Sequence, residues 1–294
     1  MDSKFPNRWF PLLILLPTLV VCGLFLYYPV AQSFSWSLLR SAFMGLKSIY
    51  VGTQNYVRLF TSSDYLHSLW ISILFAGGVV LLGISLSLCI ALLANRKIRG
   101  ARIYRTLLIW PYALSPAVAG TIWLFLFNPT AGVVNYILER TVGLSPDWVT
   151  SKYLAVFLVV TAAVWKNLGY NIVFLLAGLQ NVPGQVVEAA RIDGAGSWRC
   201  FWRVTFPLLS PTVFFLVIMN MIYAFFGAFG LIDVLTKGGP DNATNILIYN
   251  LYRDAFMHNK WGMASAESVI LFVMVVGLTL IQFRTTGRRV HYGG

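Results

Sequence analysis

Six stretches of the chain, Phe10–Ala31, Leu69–Leu93, Thr106–Phe127, Leu154–Leu179, Pro211–Ile232 and Ser268–Phe283, are apolar over close to the length a helix needs to cross hydrocarbon, and Lys166 is the one charged residue among them. The last stretch is short, and a start near Ala264 would lengthen it. Inside hydrocarbon every backbone N–H and C=O must bond within its own segment, which selects the helix. With 58% of its 294 residues hydrophobic and 11% charged, the chain carries more apolar side chain than a soluble interior of this size can hide. The expectation is an all-α integral membrane protein with six transmembrane helices. Lys4 and Arg8 ahead of the first stretch imitate a secretion signal. The apolar run is too long for one, however, and no small-x-small cleavage site follows closely, so the segment reads as retained.

The formal charge of +12 would suggest nucleic acid in a soluble chain, but its distribution matters more than its sum. One set of connections holds the amino terminus (Lys4, Arg8), the loop with Arg96, Lys97, Arg99, Arg102 and Arg105, the loop with Arg191, Arg199 and Arg203, and the tail with Arg284, Arg288 and Arg289. These thirteen basic residues face only Asp2, Glu188 and Asp193, a net of +10. The opposite connections carry eight basic and seven acidic residues, a net of +1. Positive residues gather on the cytoplasmic side, so both termini are expected there and no nucleic-acid partner is expected; the basic character answers to membrane lipid and topology.

Prolines punctuate the spans at Pro11, Pro17, Pro29, Pro111 and Pro116. Each removes a backbone donor and tends to bend a helix, and bent helices suit a gated path. The long outer connections carry turn formers, as in Asn128-Pro129 and Gly238-Gly239-Pro240, and interfacial aromatics such as Trp36, Trp148 and Trp261.

An engine for transport is missing. No phosphate-cradling GxxxxGK[ST] loop occurs, and no Gly-Lys dipeptide at all. Mid-span carboxylates, the usual relays of an ion-coupled transporter, are absent too, because Asp233 and Glu267 fall near outer ends. His67, His258 and His291 are scattered, and Cys22, Cys89 and Cys200 form neither a CxxC pair nor a metal-ligand spacing. Neither a metal site nor a catalytic set is expected.

The cytoplasmic segment Gln180–Pro207 is better organised than a connector needs to be. Pro183 suits a first helical turn, Val186, Val187 and Ala190 form an apolar stripe, and Gly194 suits the left-handed residue that ends a helix. Ser197 is placed to cap a second short helix presenting Trp198, Phe201, Trp202 and Thr205, with Pro207 as its stop. Such a hairpin either folds onto the membrane surface or docks a separate protein through its aromatic anchors.

These residues carry a resemblance. Glu188-Ala189-Ala190, Gly194 after three more positions, and Val204-Thr205-Phe206-Pro207 after nine more resemble the EAA loop of binding-protein-dependent ATP-binding-cassette importers, EAA-x3-G-x9-I-x-L-P. Trp110-Pro111-Tyr112, Phe127-Asn128-Pro129, Trp165-Lys166, Leu179-Gln180-Asn181-Val182-Pro183, Thr236-Lys237-Gly238-Gly239-Pro240 and the stretch from Tyr249 to Tyr252 are similar to segments of carbohydrate-importer permeases. The whole length resembles the larger maltose-importer permease without its extra spans, and is most similar to permeases for glycerol-3-phosphate and sugars.

The resemblance implies a type-1 importer permease of the bacterial inner membrane, non-catalytic, in which residues 1–65 precede a transmembrane domain at 66–283 with its coupling loop at 180–207 and a tail at 284–294. It implies a second homologous permease, two cytoplasmic ATPase subunits that use ATP and magnesium, and an extracytoplasmic substrate-binding protein, with no cofactor on this chain. Glu188, Ala189, Ala190, Asp193, Gly194, Trp198 and Phe201 are then the expected ATPase-coupling residues. Alignment with the maltose path places substrate near Trp165, Gly169 and Ile172 and near Met221, Phe225 and Ala228, with Asn171, Asn220 and Tyr223 as neighbouring hydrogen-bonding groups. Lys166 reads either as a partner for a phosphate or as a structural cation meeting a companion subunit or a backbone carbonyl. An ion-coupled secondary transporter remains the alternative, and mid-span carboxylates would be its sign.

Overall fold

In the computed structural model the described residues are 9–42, 47–95 and 101–285. Lys4, Arg8, Arg96, Lys97, Arg99, Arg288 and Arg289, which weigh in the charge count, lie outside them. The chain divides into two compact units, one built from residues up to 62 together with 251–270, the other from 63–250 together with residues from 271 on.

In the first unit, α1 (Trp9–Cys22) passes through a π-helical turn, Gly23–Tyr27, into α2 (Tyr28–Ser37). Large apolar side chains from Leu13 to Tyr28 are exposed, the pattern of a helix facing hydrocarbon. A two-stranded antiparallel hairpin follows, β1 (Leu39–Ala42) on β2 (Lys47–Tyr50), with Leu39 opposite Tyr50. This small sheet departs from the all-helical expectation. Buried Asn55 on α3 (Gln54–Thr61) fixes the corner, donating from Nδ2 to the carbonyls of Ser37 and Leu39, both at 2.8 Å. The Ser37 carbonyl lies at the end of α2, where a helix leaves carbonyls without intrahelical partners, and the Leu39 carbonyl lies at the start of β1.

The second unit is built on α4 (Ser63–Ala94), α8 (Lys152–Gln180) and α11 (Phe206–Ile222), which share a core including Ile84, Ile172, Leu175, Leu209 and Leu216. Buried serines on α4 hold the segment around 245–247. Ser72 Oγ accepts from Leu247 N–H at 2.7 Å, and Asn245 Nδ2 donates to Ser68 Oγ at 3.0 Å. The helix α14 (Trp261–Thr285) starts earlier than the sixth apolar stretch suggested.

Three expectations need correction. The third stretch is not one helix: Thr106–Ala113 and Pro116–Leu126 are bent by 107°. Here α5 (Ala101–Ile109) tightens into a 3-10 turn at Trp110–Ala113, and α6 (Pro116–Leu126) starts afresh. Pro116 forces Ser115 into an extended conformation, and Ser115 Oγ then caps the new helix by accepting from Val118 N–H at 3.2 Å. Second, Pro207 does not stop the helix, which runs from Ser197 to Gly227. A π-helical turn, Phe201–Thr205, ends two residues before Pro207, as Gly23–Tyr27 ends two residues before Pro29. The wider turn lets the helix pass a residue that lacks an N–H. Third, the fifth span ends at Gly227 after a further π-helical turn, Tyr223–Gly227, and the remainder of the expected stretch forms a separate helix, α12 (Phe229–Leu235), against α6. Among the described residues five helices are thus long and apolar enough to cross a membrane, six if the bent pair is one span.

Candidate functional site: a cavity in the span region and an exposed hairpin

The break in the third stretch carries Tyr112 and Pro116 to the wall of a cavity of about 410 Å³. Lys166, Asn167 and Tyr170 of α8 form a second wall, and Met219, Asn220, Ile222, Tyr223, Phe226 and Gly227 a third. Lys166 is 5% exposed, and its Nζ lies 5.1 Å from the Tyr112 ring centre and 5.5 Å from that of Tyr223, within cation–π range of both. Among the described residues it makes no ion pair. The Tyr223 hydroxyl is buried close to Asn167 without meeting hydrogen-bond geometry. Asn167 Nδ2 donates to the Ala163 carbonyl at 3.0 Å.

Of the expected path residues, Lys166, Asn220 and Tyr223 reach this cavity. Asn171 is fully buried and exchanges hydrogen bonds with Asn220, at 3.2 Å from Asn171 Nδ2 and 2.7 Å from Asn220 Nδ2. Ile172, Met221, Phe225 and Ala228 are buried. Gly169 is where α8 meets the end of α5: a Cβ there would lie 2.8 Å from the Ile109 Cα and carbonyl oxygen. Trp165 joins an aromatic chain, edge-on to Trp110 at 6.0 Å and to Trp123 at 5.9 Å, which continues through Phe127 to Trp148. Three separately noted segments, around Trp110, Phe127 and Trp165, therefore belong to one packed row. Tyr112, Asn167, Tyr170, Met219, Ile222 and Phe226 were missed by sequence reasoning. The spacing of Lys166 and Tyr170, and of Met219, Tyr223 and Phe226, was the available signal: each set lies on one helical face.

The loop at 180–207 forms the expected hairpin. Its first helix, α9 (Gly184–Ile192), has no buried residue, so Glu188 and Ala189 are exposed and Ala190 is half-buried. Gly194 takes φ +82°, with its N–H on the Arg191 carbonyl and the Ala195 N–H on the Ala190 carbonyl, so the chain reverses as a left-handed cap requires. Ser197 is the first helical residue of α10 (Ser197–Cys200), not its cap; Gly196 holds that place. Trp198 stands out at 76% exposure, whereas Phe201 is half-buried against Trp202 and Phe206. An open groove of about 280 Å³ runs between the helices, lined by Asp193, Arg199 and Arg203 among others. Among the described residues Glu188 makes no ion pair.

Residues 80–288 match the family model described as "Binding-protein-dependent transport system inner membrane component". The chain belongs to this family. It is an inner-membrane permease component of a binding-protein-dependent transport system. Members named sn-glycerol-3-phosphate transport system permease protein UgpA include that of Rhizobium meliloti, 45% identical with 98% of each chain covered. That of Agrobacterium fabrum is 44% identical over the same shares. Among solved structures, a bacterial ABC transporter chain in complex with an alginate-pentasaccharide-bound periplasmic protein is 21% identical, with TM-score 0.83 over 97% of this chain and 96% of that one, which shows a shared fold.

Proposed function

We propose that this permease works beside a second, homologous permease, with two cytoplasmic ATPase subunits that use ATP and magnesium and an extracytoplasmic substrate-binding protein. The cargo is a carbohydrate or polyol derivative, with sn-glycerol-3-phosphate as the first candidate. The observation that carries this reading is the likeness of nearly the whole chain to relatives bearing that printed substrate name. The alginate-importer complex with its periplasmic protein supports the binding-protein partner.

Residues 66–283 form the transmembrane domain and both termini face the cytoplasm, which the charge asymmetry supports. The exposed hairpin at 180–207 then lies on the ATPase side. Glu188 offers a carboxylate for a charge-assisted hydrogen bond, and Trp198 and Ile192, at 76% and 86% exposure, offer apolar area. Ala189, Ala190, Asp193, Gly194 and Phe201 shape and position that surface.

The test is uptake by the full complex in liposomes, with its binding protein first titrated against sugars, polyols and their phosphate esters. ATP-dependent uptake of sn-glycerol-3-phosphate is expected. Glu188→Ala should lower uptake and ATPase co-purification together. Normal values for both in this variant would remove the hairpin from coupling.

A further inference from the structure

The cavity beside the third-span break holds a combination of groups that packing alone does not explain. An ammonium sits in the apolar stretch of a spanning helix, nine-tenths buried and without a carboxylate in range among the described residues. Burying a charge in that setting is costly, and the two tyrosine faces offset only part of the cost. Intramembrane cations of this kind mark a pathway or await a counter-charge. Beside it lies a buried phenol hydroxyl, that of Tyr223, without a full hydrogen bond. The ammonium is donor-only, the phenol has a proton to give, and among the described residues no acidic side chain lines the cavity.

A neutral sugar can share hydrogen bonds with the Asn167 amide and the tyrosine hydroxyls of this wall, but it brings no counter-charge to the ammonium. A phosphate monoester presents oxygens that only accept at neutral pH once its protons are gone, and it brings the missing negative charge. Met219, Ile222 and Phe226 supply apolar lining for a short carbon chain. A volume of about 410 Å³ belongs to the small end of ligand sites and suits a polyol phosphate better than an oligosaccharide.

We infer that this cavity is the transit site for the phosphate end of a small phosphate monoester, with Lys166 as its counter-charge and the Tyr223 hydroxyl as a second donor. The inference rests on the importer reading above and deepens it by assigning the residues that select charge. Asn220 serves differently: its amide is taken up by Asn171 and by the Leu216 carbonyl, so it fixes the wall.

The experiment is uptake of radiolabelled sn-glycerol-3-phosphate by the full complex in liposomes, with a neutral sugar as parallel probe, for the wild type, Lys166→Met, Lys166→Arg and Tyr223→Phe. Co-purification of the companion permease is measured alongside, and retained phospholipid by mass spectrometry. Loss of a charge-assisted hydrogen bond from a buried site predicts a fall of about 10- to 100-fold in Lys166→Met, with partial recovery in Lys166→Arg. Tyr223→Phe should fall by about 3- to 10-fold. Assembly should be retained in all three.

Unchanged uptake of the phosphate ester in Lys166→Met would overturn the site assignment and leave the importer reading standing. Uptake of the neutral sugar and not of the ester by the wild type would overturn the substrate reading and the site together. An anionic lipid bound by the wild type and lost from Lys166→Met, with uptake unchanged, would give the cation to a lipid headgroup. Loss of the companion permease from Lys166→Met but not from Lys166→Arg would make it a structural pair partner. Either result would overturn the proposal.

Discussion

The cavity and the exposed hairpin are both built from helices of the same unit, yet they handle polar groups in opposite ways. Around the cavity, side-chain amides satisfy each other or the backbone: Asn171 with Asn220, Asn167 with Ala163. On the hairpin, α9 buries nothing, and its charged groups stand in the open. The backbone differs as well. Gly169 is needed because another chain segment lies against it, whereas Gly194 has open space around it and is needed for its φ of +82°. On the reading proposed above, the uncovered surface meets a partner and the uncompensated cation meets a ligand.

Substitutions at the two glycines break this contrast most directly. Gly169→Val should destabilise the detergent-solubilised protein by about 3 kcal/mol, because the Ile109 and Leu108 backbone has no room to move aside. Thermal unfolding followed by circular dichroism measures it; a variant as stable as the wild type would mean that α5 does not pack there. Next comes the amide pair. Asn220→Leu strands the buried Asn171 amide and should cost about 1–3 kcal/mol in the same assay. Adding Asn171→Leu should recover part of that loss, since both partners are then apolar. Additive losses would show that the amides act separately.

The smallest stability effect belongs to the hairpin. Gly194→Ala should cost about 1 kcal/mol, from the left-handed backbone alone. Its weight should fall on ATPase co-purification, with the spans intact. A drop in overall stability matching that of Gly169→Val would erase the distinction between the two regions.

The hairpin was largely legible in the sequence because its signals are local: a glycine at the reversal, a proline before α9, aromatics at helical spacing. The span count was legible for the same reason, through long apolar runs. The cavity was less so. Its walls come from the break at Pro116, from α8 and from α11, and which faces meet depends on packing that no local pattern encodes. A shift of one residue turns a helical face by about 100°. Alignment pointed to Trp165, Gly169 and Ile172, while the cavity is lined by Lys166, Asn167 and Tyr170. Proline was the other source of error. At Pro116 it broke a span expected whole, and at Pro207 a helix expected to stop continued, because a preceding π-helical turn absorbed the missing donor.

That continuation has a mechanical consequence. From Ser197 to Gly227 the helix counts 31 residues, so one lever arm of roughly 46 Å, at 1.5 Å per residue, carries Trp198 at one end and Tyr223 near the other. A tilt of about 5° about its midpoint would swing each end by roughly 2 Å, the scale of helix shifts in switching proteins. The π-helical turns at Phe201–Thr205 and Tyr223–Gly227 fall close to the two ends. The stretch between them, Phe206–Ile222, holds Pro211 within it and joins the hairpin to the cavity wall in one continuous helix.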